Sequence, residues 1–195
     1  KQWRNAGSGQ HRPLSVSLTD KFPSSMLANR PAATDITFNV VTEPVDAAEV
    51  PGTLSGFRTI FASFHHFSDS SAKRILADAV RAHEGIATAE VTSRTLRAAA
   101  VICFLPFIVF WVTPRIGPFS WRRLIFTYLV PAIPLVVLWD GLISCLRTRT
   151  PQELLALTRE LTDYDWTSAY GGRENSLLPI VYLIGLPKPG APLGT

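Results

Sequence analysis

The chain has almost no cysteine. Cys103 and Cys145 are the only 2 in 195 residues, and both lie in an apolar block where thiols behave as small hydrophobes. That excludes a disulfide framework and a thiolate zinc site, and makes a reducing cytoplasm the default setting. Charge is sparse as well, at 17%. The net charge of +4 and the pI of about 9.4 come without any Lys/Arg run able to track phosphates, so nucleic acid is not an expected partner. Of the histidines, His11 and His83 stand alone. The neighbours His65 and His66 point in different directions with no third ligand at useful spacing, so no metal site is expected. No nucleophile elbow, P-loop or HExxH is present, and the GSG at Gly7 to Gly9 precedes a strand rather than following one, which fails the dinucleotide test. The opening KQWRNAGSGQHRP has no apolar core and so is not a signal peptide. The first residue is Lys1, and the natural beginning is expected upstream of it.

What the chain does have is a local excess of apolar residues. Mean hydropathy is only +0.18, yet Ala98 to Thr113 and Leu124 to Trp139 carry no charge. Each is slightly short of the roughly 20 residues that cross a ~30 Å hydrocarbon core. Each also contains proline: Pro106 in the first, Pro131 and Pro134 in the second. Continuing the second through Leu142, Ile143 and Leu146 makes it long enough, with Asp140 near one interface beside Arg147. Arg94, Arg97, Arg115, Arg122, Arg123, Arg147 and Arg149 flank the block, and Trp121 sits in its connection, an interfacial composition. The expectation is an inserted helical hairpin that spans a membrane, with a re-entrant or surface-lying hairpin and a soluble buried helix pair as alternatives. A hairpin returns the chain to the side it left, so both flanks can belong to one domain.

The flanks read as α/β. LSVSLTD from Leu14 and ITFNVV from Ile36 alternate or cluster β-forming residues. Arg58 to Phe67, RTIFASFHHF, reads as a third, buried strand with Ser63, His65 and His66 at its C-terminal end. Ser68 to His83 has apolar residues at helical spacing behind an N-cap at Ser68 or Asp69, and stops at Glu84-Gly85. Ile86 to Val91 is a further strand. After the hairpin, Thr150-Pro151-Gln152-Glu153 is a capping box opening a helix, and Tyr164 to Tyr170 and Ile180 to Gly185 are two closing strands joined without a helix, an antiparallel pair. This rhythm predicts a mostly parallel sheet with that antiparallel pair at its end. Its parts are residues 1–95, the hairpin at 96–149, the completing helix and strands at 150–188, and a tail at 189–195.

In such a sheet ligands bind at the C-terminal ends of the parallel strands. Right-handed crossovers would bring Asp20, Asp46, the His pair and Glu90 to that edge. Asp20 either accepts the two hydroxyls of a ribose or caps its own turn. Asp46, followed by the small Ala47, either accepts from an adenine amino group or is a solvated loop acid. His65 or His66 is the candidate general base, against the plainer reading of a hydrogen-bonded loop anchor. Glu90 either faces the site or pairs with an arginine.

The order of parts, with LTDKFP, EPVDA, FASFHHF, ILADA and YLIG, resembles the class I S-adenosylmethionine-dependent methyltransferases, over about Leu14 to Val91 and Thr150 to Pro187. It is similar to a bacterial group of such proteins with a hydrophobic insertion. The resemblance implies a Rossmann-like fold and S-adenosylmethionine as cofactor. It implies Asp20 at the ribose, Asp46 and Ala47 at the adenine, and Ser63 and Phe64 under the methionine part, with His65 and His66 as catalytic candidates. With the hairpin as anchor, the expected location is the bacterial inner membrane with the soluble domain on the cytoplasmic side, and the methyl acceptor is unknown, the anchor favouring a membrane-associated one over nucleic acid. The family's first strand and glycine-rich loop have no counterpart after Lys1, so weak or absent cofactor affinity is expected of this sequence as it stands. The alternative is a non-catalytic membrane protein that uses a degenerate Rossmann-like domain for binding or assembly.

Overall fold

The computed structural model describes residues 14–23, 36–172 and 178–189. The chain forms two compact units, Lys1–Leu54 and Ser55–Thr195. His11, the GSG motif and the stretch from Ser24 to Asp35 lie outside the described residues, as do Arg173, Glu174 and Asn175 of the loop between the closing strands.

The first unit contains β1 (Leu14–Leu18) and β2 (Ile36–Val40), paired in parallel with Leu14 opposite Ile36 and Leu18 opposite Val40. Parallel pairing puts both C-terminal ends on one edge. From there the loops after the strands meet, with the Val45 N–H donating to the Asp20 carbonyl at 2.9 Å and Val45 itself buried.

The second unit holds β3 (Arg58–Phe61), β4 (Ile86–Glu90), β5 (Tyr164–Gly171) and β6 (Ile180–Pro187) in the order β3-β4-β6-β5. β3 and β4 are parallel; β6 is antiparallel to both β4 and β5. The fold is thus α/β, with a mixed four-stranded sheet in place of the mostly parallel one expected. The expected antiparallel closing pair is present.

Local chemistry explains each element. Helix α1 (Asp69–Arg81) begins where the Ser68 side chain accepts from the Ser71 N–H, and it buries Ala72, Ile75, Leu76 and Ala79. Burying a side chain such as Ile75 or Leu76 contributes about 2 kcal/mol. The helix ends on His83, which takes a left-handed φ of 54° while the Glu84 N–H reaches the Ala79 carbonyl at 3.0 Å. That six-to-one closure belongs to a left-handed helix end, and the left-handed residue is His83 rather than the glycine that follows. Asp78, buried on α1, accepts from Arg58 of β3 at 2.6 Å and from Arg81, which locks helix to strand. In the closing pair Trp166 lies opposite Gly185, and a side chain at that glycine would collide with the indole. The glycine makes room for the tryptophan.

The apolar block forms α2 (Leu96–Cys103), α3 (Leu105–Val112), α4 (Trp121–Leu124) and α5 (Ala132–Arg147), with a π-helical turn at Ile125–Leu129. Together with a terminal 3-10 turn, α2 and α3 make a 20-residue stretch, Leu96–Arg115, long and apolar enough to cross a membrane. The second arm bends by 72° between Leu129 and Ala132, where Pro131 interrupts the backbone ladder. Only when its two bent parts are taken together is this arm long and apolar enough to cross a membrane. Inside the hairpin Ala98, Ile102 and Cys145 pack with Leu105, Leu138 and Leu142. Gly141 admits Ile102, whose methyl would lie 2.7 Å from a Cβ there, the close approach that small residues give helix pairs. Phe104, Phe107, Trp111, Leu135, Val136 and Trp139 all face outward. Cys103 is exposed and Cys145 buried, both as free thiols. Asp140 is exposed and forms no ion pair with Arg147 among the described residues.

After the hairpin comes α6 (Pro151–Leu157), with the expected capping box: the Thr150 side chain accepts from the Glu153 N–H, and Glu153 accepts from the Thr150 N–H.

Candidate functional site

The stretch from Arg58 to Phe67 is not one strand. β3 ends at Phe61, Ala62 follows at a φ of 50°, and Phe64–His66 form a 3-10 turn. A left-handed alanine costs on the order of 1 kcal/mol. It is held there by its N–H, which donates to the Ala89 carbonyl of β4 at 2.8 Å. The turn thereby folds across the C-terminal end of the parallel pair.

This fold-back buries His65 beside Glu90, the last residue of β4. The alternation of β4 places Ile86, Thr88 and Glu90 on its buried face, so the carboxylate is aimed inward. One Glu90 oxygen accepts from the His65 backbone N–H at 3.1 Å, and the other lies 2.8 Å from His65 Nδ1. With Nδ1–H donating to the carboxylate, the lone pair of the ring sits on Nε2. Nε2 is buried and has no hydrogen-bond partner among the described residues. Glu90 therefore pairs with the histidine and not with an arginine.

His66 is exposed, its ring centroid 4.2 Å from that of His65. Ser63 is half-buried at the head of the turn. Phe64 is 1% exposed, its ring packed into the core. The residue that secures the turn is Arg149, just past the hairpin. Its guanidinium donates to the carbonyls of Phe64 at 3.2 Å and Phe67 at 2.7 Å and to Asp69 at 2.8 Å, and lies 5.6 Å from the Phe64 ring centroid. A second tie joins Thr92 and Thr148, whose hydroxyls are 2.6 Å apart. Sequence reasoning missed both links, since each joins residues far apart in the chain and no local pattern marks them.

In the first unit, taken by itself, Asp20 and Asp46 do come together. Asp20 Oδ1 accepts from the Phe22 N–H at 2.8 Å, and Asp46 Oδ1 from the Ala48 N–H at 2.9 Å. These are side-chain turns of the ordinary aspartate kind. Lys21 then bridges to Asp46 Oδ2 at 2.8 Å. Asp20 Oδ2 has no partner among the described residues, and Ala47 is half-buried in the turn. The arrangement offers hydrogen-bond acceptors at the edge of two parallel strands, which suits hydroxyl or amino groups of a ligand. Among the described residues no cluster of His, Cys, Asp and Glu is arranged to hold a metal.

No protein-family model, no curated protein and no solved structure matches this chain.

Proposed function

We propose that the chain is a membrane-anchored domain of the class I methyltransferase type, with S-adenosylmethionine as cofactor and a Rossmann-like sheet. The observation that carries this reading is the placement of the last strand. β6 runs antiparallel and inserts between β4 and β5, as the closing hairpin does in that family. Two parallel strands ending in acids, at Asp20 and beyond β2 at Asp46, add support.

The donor set fits the nucleoside end of the cofactor. Asp20 Oδ2, without a partner among the described residues, would accept ribose hydroxyls, while Asp46, neutralised by Lys21 and flanked by Ala47, suits an adenine edge. Bound S-adenosylmethionine would supply an electrophilic methyl group. The part played by this chain is chiefly orientation of the acceptor. In the second unit, taken by itself, His65 is the candidate general base, with Glu90 holding the ring in its tautomer. An outward-facing apolar hairpin would keep the domain at a bilayer, on the cytoplasmic side of a bacterial inner membrane, and favours a membrane-associated acceptor.

A second reading, a non-catalytic binding or assembly module, is favoured by one specific observation. Both aspartates already serve their own turns, and His65 Nε2 is enclosed. Calorimetric titration with S-adenosylmethionine separates the two readings. It should use the protein with any residues its gene encodes ahead of Lys1. Binding that is lost in Asp20→Ala supports the methyltransferase type, and absence of binding supports the module.

A further inference from the structure

A cleft of about 410 Å³ opens where the two arms of the hairpin meet the rest of the second unit. Its charged lining consists of Asp69 and Lys73 from α1, Arg94 just before α2, Arg147 and Arg149 at the end of α5 and beyond, and Glu153 from α6. Four cations thus face two carboxylates. Both carboxylates are engaged: Arg149 holds Asp69, and Arg94 holds Glu153 at 3.0 Å. Lys73 and Arg147 line the same cleft and have no side-chain partner among the described residues. Two unpaired cations in a concavity create a site for an anion, because the recess raises the local potential above that of a flat surface.

We propose that this cleft binds the phosphate of an anionic membrane lipid. A phosphate offers the several charged acceptor oxygens that a lysine and a nearby arginine recognise. The position argues for a lipid rather than a free ester. Arg94 immediately precedes the apolar block and Arg147 closes its last helix, so the cleft lies where the hydrocarbon-facing surface ends. Lipid phosphates occupy that level of a bilayer. Arginines that merely flanked a span would need no concavity and no contribution from α1, yet Lys73 comes from that helix. The inference rests on the membrane reading of the hairpin and not on the methyltransferase reading.

The test uses the full chain, delipidated in a neutral detergent, and reads ligand-induced thermal shifts and dissociation constants. The probes are short-chain phosphatidic acid, short-chain phosphatidylcholine and glycerol 3-phosphate. Phosphatidic acid should bind and stabilise, with the other two much weaker. Lys73→Ala and Arg147→Ala should each weaken it about fivefold, the effect of one basic side chain at an anionic surface. Arg159→Ala, an exposed arginine outside the cleft, should leave it unchanged. Retained binding in the Lys73→Ala/Arg147→Ala double variant would overturn the assignment, as would an equal loss in Arg159→Ala. Equal binding of glycerol 3-phosphate would overturn the lipid as its source. If the double variant does not fold, Lys73→Glu on the solvent side of α1 gives the same reading. A chain that stays monodisperse in water without detergent would sink the membrane reading separately, leaving glycerol 3-phosphate binding to report on the cleft alone.

Discussion

His65 depends on one neighbour. Glu90 satisfies two of its donors in a buried setting, the backbone N–H and Nδ1–H, and each buried donor left unmet costs about 1–3 kcal/mol. Glu90→Ala is therefore expected to destabilise the protein by about 3 kcal/mol, measured by chemical unfolding. A change under about 0.5 kcal/mol would mean that water reaches the pair. The histidines and Glu90 were each visible in the sequence as chemistry at strand ends. Their pairing was not, because it needs the left-handed Ala62 that turns the chain over β4. An alanine carries no mark of that conformation. Arg149 was legible only as one of several arginines flanking an apolar block, and its grip on the turn joins residues more than 80 positions apart.

Elements with strong local signals formed as read. The capping box of α6 is the clearest, and it carries a pH dependence. The Thr150 backbone N–H bonded to Glu153 is the main cause that holds the Glu153 carboxyl below its ordinary value of 4.5, opposed by slight burial and aided by Arg94. A lowered folded value means that the carboxylate contributes stability above the unfolded value and loses it as pH falls through the folded one. The loss therefore begins near 4.5 and continues below it. Glu153 is about half exposed, so the share from Arg94 is small. Thr150→Ala should cost about 1 kcal/mol at neutral pH, and Glu153→Gln should flatten the part of the acid-unfolding curve below 4.5. An unchanged acid limb in Glu153→Gln would remove the cap from the explanation. The elements read less well are those set by tertiary context. β3 is cut to four residues by the turn after it, and the second hairpin arm takes its 72° bend at a proline whose consequence depends on what surrounds it.

For the molecule as a whole, the alternation of strands and helices made an α/β chain readable, and the antiparallel closing pair followed from two strands with no helix between them. The insertion of β6 between β4 and β5 was not readable, because strand order is decided by which edge accepts the returning chain. The two units are each internally ordered around parallel pairs whose C-terminal ends carry acids or the His65–Glu90 pair. The direct test is calorimetric titration of S-adenosylmethionine into the detergent-solubilised protein, with any residues its gene encodes ahead of Lys1 retained, beside Asp20→Ala. A methyltransferase-type site predicts saturable binding that Asp20→Ala weakens by about tenfold or more, the worth of a charge-assisted hydrogen bond. No heat of binding, or the same affinity in both proteins, would contradict it.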